Sequence, residues 1–213
     1  MARFALVCLF TALLALSQFA EAARRNTMGQ PGAFDYYVLS LSWSPEYCHN
    51  RVNTEQCSGV RHFGFVVHGL WPQYRNGSWP EYCTNAPGPN NPARMLDIMP
   101  SLQLIRHEWS AHGTCSGLSE NAYFNLVRRA YNQVHIPKRF VAPSQYILIR
   151  GDELRREFEN ANPGLRGESL SIDCRNGKYL SEVRVCLGKS LEPVPCSASR
   201  SCNASQLRLA PVR

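Results

Sequence analysis

Three features of the sequence predict an α+β domain built around an antiparallel sheet. Stretches of period-two alternation and stretches of helical spacing are mixed along the chain without a strand–helix–strand rhythm. No Gly-rich phosphate loop marks a nucleotide-binding parallel sheet, and neither a repeat nor a linker divides the chain. Nine cysteines less Cys8 near the N-terminus leave eight, an even number that reads as a disulfide framework in an exported chain.

The N-terminus supports export. Arg3 supplies a positive start, Phe4 to Leu16 is an apolar run of 13 residues, and Ala20-Glu21-Ala22 offers a small-x-small cleavage site. That is the anatomy of a secretory signal peptide, too short to span a bilayer. Removing residues 1–22 leaves 191 residues, 23–213, as a single expected domain. Arg3 and Glu21 leave together, so the formal charge of +7, from 23 Lys+Arg against 16 Asp+Glu, is unchanged. No later stretch approaches 18 apolar residues, and no membrane association is expected. With 44% apolar and 18% charged residues the composition is globular rather than disordered or fibrous. The basic balance, with a pI near 9.1, suits a polyanionic partner such as nucleic acid, although many soluble domains are equally basic.

The elements follow in order. Phe34 to Trp43 alternates, with Tyr37, Leu39, Leu41 and Trp43 on one face, which predicts a strand ended by Pro45. Arg61 to Leu70 is a second strand, with Phe63, Phe65 and Val67 opposite His62, Gly64, Val66 and His68; Trp71-Pro72 is expected to break it. Residues 74–92, rich in Asn, Gly and Pro, read as a long loop pinned by Cys83. Ser119 is placed to cap a helix whose apolar positions are Tyr123, Leu126, Val127, Ala130, Tyr131 and Val134, stopped by Pro137. Asp152 is placed to cap another, with Leu154 and Phe158 four apart, stopped by Pro163-Gly164. Leu180 to Leu187 alternates again, and the tail after Cys186 is rich in Pro and Ser. Asn76-Gly77-Ser78 and Asn203-Ala204-Ser205 are glycosylation acceptors in a eukaryotic source.

Two stretches carry chemistry: residues 65–73, FVVHGLWPQ, and residues 107–115, HEWSAHGTC. His68 alone reads equally well as a satisfied structural histidine. The second stretch sets His107, Glu108 and His112 within six residues. It is not the HExxH zinc pattern, because its histidines are i and i+5, about 140° apart on a helix. Glu108 and His112 are i and i+4, so a helix would align that pair, and a carboxylate beside an imidazole orients it and favours its charged form. The pattern is acid–base apparatus; no metal and no cofactor is expected. The absence of CxxC also weakens the zinc-ribbon and thioredoxin-like readings.

These two stretches resemble the catalytic signatures of the ribonuclease T2 family of secreted acid endoribonucleases. The resemblance begins at residues 36–48, YYVLSLSWSPEYC, and extends to the late cysteines. It implies a central antiparallel sheet flanked by helices, and a single-stranded RNA substrate. It implies transesterification through a 2′,3′-cyclic phosphate to 3′-phosphate ends, without metal. Two imidazoles with ordinary pKa values near ~6.5 suit both proton transfers. By resemblance His68 and His112 are the acid–base pair, with His112 as base and His68 as acid. Glu108 orients or charge-tunes His112 and assists at the phosphoryl oxygens, and His107 contacts phosphate. Trp71 and Trp79 stack on the base, against a bland alternative of core packing, and Gln73 meets the base edge. The implied disulfides are Cys48–Cys57, Cys83–Cys115, Cys174–Cys202 and Cys186–Cys196. A monomer without an obligate protein partner is expected, secreted or, in a eukaryote, sorted to a vacuole or lysosome.

One residue departs from the family pattern: Ala111 stands where a lysine usually precedes the second catalytic histidine. The expected consequence is an active but slower enzyme, with Ala111→Lys raising kcat unless Arg106 or His107 already supplies the cation. The alternative function is an RNA-binding or toxin-like protein of the same fold with weak or lost catalysis.

Overall fold

The first period-two stretch becomes an interior strand of the sheet. In the computed structural model, which describes residues 29–51, 54–59, 61–197, 201–202 and 204–213, strand β1 spans Tyr36–Trp43. The signal peptide expected at 1–22 and the acceptor Asn203 lie outside the described residues. Tyr37, Leu39, Leu41 and Trp43 enter the main core, whereas Tyr36 and Val38 join a smaller cluster with Cys186 on the opposite face. Both faces are therefore covered, and each fully buried large apolar side chain contributes about 1.5–3 kcal/mol of transfer free energy.

Strand β2 (Phe65–Gln73) pairs antiparallel with β1 and runs through Trp71-Pro72, where the sequence predicts a break. Pro72 is tolerated because β2 is an edge strand, with β1 on one side only, so the missing N–H interrupts no second ladder. Its start, expected at Arg61, is delayed to Phe65. Two short helices, α1 (Ser44–Tyr47) and α2 (Glu55–Ser58), lie between these strands. The sheet order is β2-β1-β5-β6-β3, with β4 on the same β5. Here β3 is Ile147–Ile149, β4 is Leu170–Arg175, β5 is Tyr179–Leu187 and β6 is Leu207–Leu209. Pairing is antiparallel except for one parallel contact, Tyr179 with Arg208, between β5 and β6.

Helix α3 (Leu102–Ala111) begins at Ser101, whose hydroxyl accepts the Leu104 N–H, and α4 (Glu120–Asn132) begins at the expected Ser119, whose hydroxyl accepts from Ala122. Helix α5 spans Gly151–Ala161. Its cap position is Arg150, and Asp152 lies in the first turn, pairing with Arg150 and Arg156 instead of capping. The helices bury Ile105, Trp109, Tyr123, Phe124, Leu154 and Phe158 in the main core. The four disulfides join Cys48 to Cys57, Cys83 to Cys115, Cys174 to Cys202 and Cys186 to Cys196, the pairs the resemblance implies. Cys83–Cys115 ties the loop after β2 to the turn that follows α3. Among the described residues no helix is long and apolar enough to cross a membrane.

Candidate active site

The site starts from an irregularity in β2. Leu41 faces Val67 and Ser40 faces Gly69, so His68 is one extra residue in the ladder. Such a bulge re-aims a side chain. Before it, Phe65 and Val67 point to the core; after it, Leu70 does. His68 and Trp71 are thereby brought close, with ring centroids 5.1 Å apart. The apolar spacing 65, 67, 70 was the sequence signal of that bulge, missed because alternation was extended through it.

Helix α3 delivers the second half. It ends at Ala111, and His112 is its C-cap with φ −119° and ψ −41°, its N–H donating to the Glu108 carbonyl. His112 thus leaves the row of side chains on which an i, i+4 alignment with Glu108 depends. The Glu108 carboxylate turns instead to β2. It accepts the Trp71 indole N–H at 2.7 Å and lies 3.7 Å from His68 Nε2. The expectation that Glu108 orients His112 is corrected: its partners are His68 and Trp71. Gly69 makes room for it, because a Cβ there would stand 1.9 Å from Glu108 Oε2.

The electrostatics separate the two imidazoles. Burial lowers the His112 pKa to about 4, with the charges of His107 and His68 adding to the effect. Among the described residues its buried Nδ1 has no hydrogen-bond partner that would favour the imidazolium. Burial alone would lower His68 as well. The Glu182 hydrogen bond and the Glu108 and Glu182 charges outweigh burial and the Arg184 charge, and its pKa is raised. Burial pushes the Glu108 carboxyl up to about 7 against the opposing pull of His68 and the Trp71 N–H.

Glu182 and Arg184 went unnoticed in the sequence. They alternate on β5 with core residues Val183 and Val185, so both face the site. Glu182 Oε1 is 2.6 Å from His68 Nδ1, and the Arg184 guanidinium lies over the Trp71 ring at 5.4 Å. A charged pair on the non-core face of a predicted strand was the available signal.

A cleft of about 670 Å³ opens beside these groups, lined by Trp71, Gln73, Trp79, Glu81, His112 and Arg184 among others. Its volume suits a small-molecule-sized ligand. Trp79 is 53% exposed, its indole N–H donating to Glu81, so it does not pack the core. Trp71 is partly buried against the small cluster of Tyr36, Val38 and Cys186 and also lines the cleft, so packing and an open ring edge coexist. The Gln73 amide donates to the Pro72 carbonyl. His107 is exposed, its ring centroid 6.4 Å from that of His112, and it is not part of the cleft lining. Ala111 is 1% exposed, and its carbonyl accepts the Tyr82 N–H. Ala111 is thus buried, with its backbone tied to Tyr82 in the segment that Cys83–Cys115 holds. Among the described residues no group of three or more His, Cys, Asp or Glu is arranged to hold a metal ion.

Comparison with known proteins adds to this geometry. The family model described as "Ribonuclease T2 family" matches residues 34–196. The chain is 37% identical over 177 residues to a ribonuclease of Aeromonas hydrophila, covering 79% of each. Among solved structures it resembles an RNase-related protein from Calystegia sepium, with a TM-score of 0.70 at 24% identity, covering 84% of this chain and 98% of that one. It also resembles RNase NT in complex with 5′-AMP, with a TM-score of 0.65 at 24% identity and the same coverage.

Proposed function

The chain belongs to the ribonuclease T2 family and is an RNA-cleaving endoribonuclease, and from that premise we propose that it cuts single-stranded RNA by two-histidine transesterification. His112, neutral, takes the proton of a 2′-hydroxyl as its oxygen attacks the adjacent phosphorus. His68, charged, gives a proton to the departing 5′-oxygen as the P–O5′ bond breaks. A 2′,3′-cyclic phosphate remains, and water opens it to a 3′-phosphate with the two roles reversed. No metal is required by this scheme.

The observation that carries the reading is the opposite displacement of the two imidazoles, His112 lowered to about 4 and His68 raised, on either side of Trp71. Between those values one is a base and the other an acid, as the chemistry needs. Glu108 stabilises charge on His68 and, when protonated, has a hydrogen to offer a phosphoryl oxygen. Trp71 and Trp79 offer ring surface to a base across the cleft, and Gln73 an amide to its edge; the 5′-AMP in RNase NT supports a nucleotide as the occupant. His107 adds an exposed imidazole on α3, its ring 6.4 Å from that of His112. Export of residues 23–213 after loss of the N-terminal segment completes the proposal, consistent with four disulfides.

Digestion of a defined oligoribonucleotide in EDTA, with mass analysis of the ends, tests it. The expected products carry 2′,3′-cyclic and then 3′-phosphates, and a 2′-deoxy residue 5′ to the scissile bond blocks the cut. Cleavage of the deoxy linkage, or activity that only added metal restores, would refute the mechanism. Binding without cleavage would favour the RNA-binding alternative.

A further inference from the structure

We propose that Glu182, seated by Arg184, is the positioning residue of His68: a carboxylate whose contact with Nδ1 sets the imidazole's tautomer and aim. This rests on the two-histidine reading above, in which His68 is the acid.

The geometry is bridged across the sheet. β5 and β2 are not neighbours; β1 lies between them. Two strand spacings amount to about 10 Å, a span that only long side chains cross. β1 places its two smallest outward residues there: Ser42 is opposite Glu182, and Ser40 is opposite both Arg184 and Gly69. Over these serines Glu182 reaches His68 and Arg184 reaches Trp71. β5 is paired on both sides at this point, with β1 and with β4, so the register that delivers the pair is held from two directions.

The contacts divide the labour. Glu182 is 7% exposed. One of its oxygens meets His68 Nδ1 at 2.6 Å, and the other accepts Arg184 Nε at 2.8 Å and Nη2 at 2.7 Å. Arg184 also lies 3.7 Å from Asp173. With Nδ1–H committed to Glu182, the transferable proton of His68 is on Nε2, the nitrogen turned toward Glu108 at 3.7 Å. The groups facing His68 are Glu108 and His112 from the end of α3, and Glu182 and Arg184 from β5. Only Glu182 among the two carboxylates is held low, near 2, by its His68 and Arg184 partners against burial, so it stays charged while Glu108 titrates near neutrality. Glu182→Gln puts an amide at Nδ1, which cannot supply that charge and can donate to Nδ1, stabilising the wrong tautomer.

The test titrates the labelled imidazole of His68 by NMR in the disulfide-bonded protein and in two variants, beside pH–rate profiles on a dinucleotide. Glu182→Gln should lower the His68 midpoint by about one unit, a tenfold loss of proton affinity. The alkaline limb of kcat should move with it, kcat falling at least about tenfold and KM by less than about twofold. Glu182→Asp, which keeps the charge but is one methylene short of Nδ1, should lower the midpoint by less than Glu182→Gln does. General loosening would not rank the two variants by the charge they keep. A folded Glu182→Gln protein with an unmoved His68 midpoint overturns the proposal. If that variant does not fold, an unmoved midpoint in Glu182→Asp does so. A parent protein that titrates as expected but cuts no RNA overturns the functional reading and leaves the positioning contact standing.

Discussion

Gly69→Ala places one methyl group where β2 and α3 meet. Its Cβ would stand 1.9 Å from Glu108 Oε2, 2.3 Å from Trp71 Nε1 and 2.8 Å from Glu108 Cδ. Restoring ordinary contact at 3.4 Å requires the carboxylate to retreat by 1.5 Å. The backbone is not the obstacle, since Gly69 is not among the glycines with positive φ. Glu108 is 1% exposed, so there is no solvent to retreat into, and its 2.7 Å bond from Trp71 breaks. A buried hydrogen bond to a charged group is worth about 1.5–3 kcal/mol, and overpacking adds about 1–3 kcal/mol. The expected loss of stability is thus about 2.5–6 kcal/mol, or a Tm lowered by roughly 5–24 °C for a chain of this size. Moving the carboxylate off His68 should also cost about 10²-fold in kcat/KM, the low end for an acid–base group. Thermal melting and steady-state cleavage of a dinucleotide measure the two effects separately. In a Glu108→Ala background, where two of the three contacts vanish, the same substitution should cost much less, a coupling that a double-mutant cycle reads directly. A Gly69→Ala protein with unaltered Tm and kcat/KM would show that the carboxylate does not pack against β2.

The pH profile of kcat/KM should be bell-shaped. His112 must be neutral and its pKa is lowered to about 4, which sets the acidic limb; His68 must be charged and its pKa is raised above 6.5, which sets the alkaline limb. An optimum on the acid side of neutrality follows, and a rate still climbing at pH 9 would contradict it. Glu108 has its own sign in stability: its pKa is raised from 4.5 to about 7, so its contribution is complete below 4.5 and is lost as pH rises through 7. Glu108→Gln should accordingly compare better with the parent in Tm at pH 8 than at pH 5. His68→Ala and His112→Ala should each lower kcat at least about 10²-fold, with the double variant costing less than the product; near-normal turnover in either removes that residue from the scheme. Ala111→Lys, at a position 1% exposed, should lower Tm without raising kcat, because burying a lysine there displaces the Tyr82 segment; a faster, equally stable variant would show that the site opens to the cleft. Replacing Cys83 and Cys115 by serine frees a span of 32 residues, for about 3–4 kcal/mol by the chain-entropy account, and should raise KM by loosening Trp79; an unchanged KM would count against a cleft wall there.

Local pattern sufficed for the parts of this protein that depend on near neighbours. Ser119 followed by apolar residues at helical spacing marks α4 because cap and stripe lie within one segment. The alternation of β1 divides its two faces correctly because side-chain direction has period two wherever the strand runs. The two short motifs locate His68, Glu108 and His112, and the family membership they suggest is shown by comparison. The three-residue strands β3 and β6 carry too few residues to announce themselves. The continuation of β2 through Pro72 was illegible because a proline breaks a central strand but not an edge, and edge status belongs to the whole sheet. The partner of Glu108 was misread because helix periodicity cannot tell that α3 stops one residue before His112. Glu182 pairs with a histidine 114 residues away, a meeting that depends on strand order, on the bulge at His68 and on two serines between them. Residue types and their spacing along the chain thus determined which groups could do acid–base chemistry. Which carboxylate lies against which imidazole, and hence the opposite shifts of the two, was decided only by tertiary packing, since a pKa answers to burial and to charges within a few ångströms in space, whatever their distance in sequence.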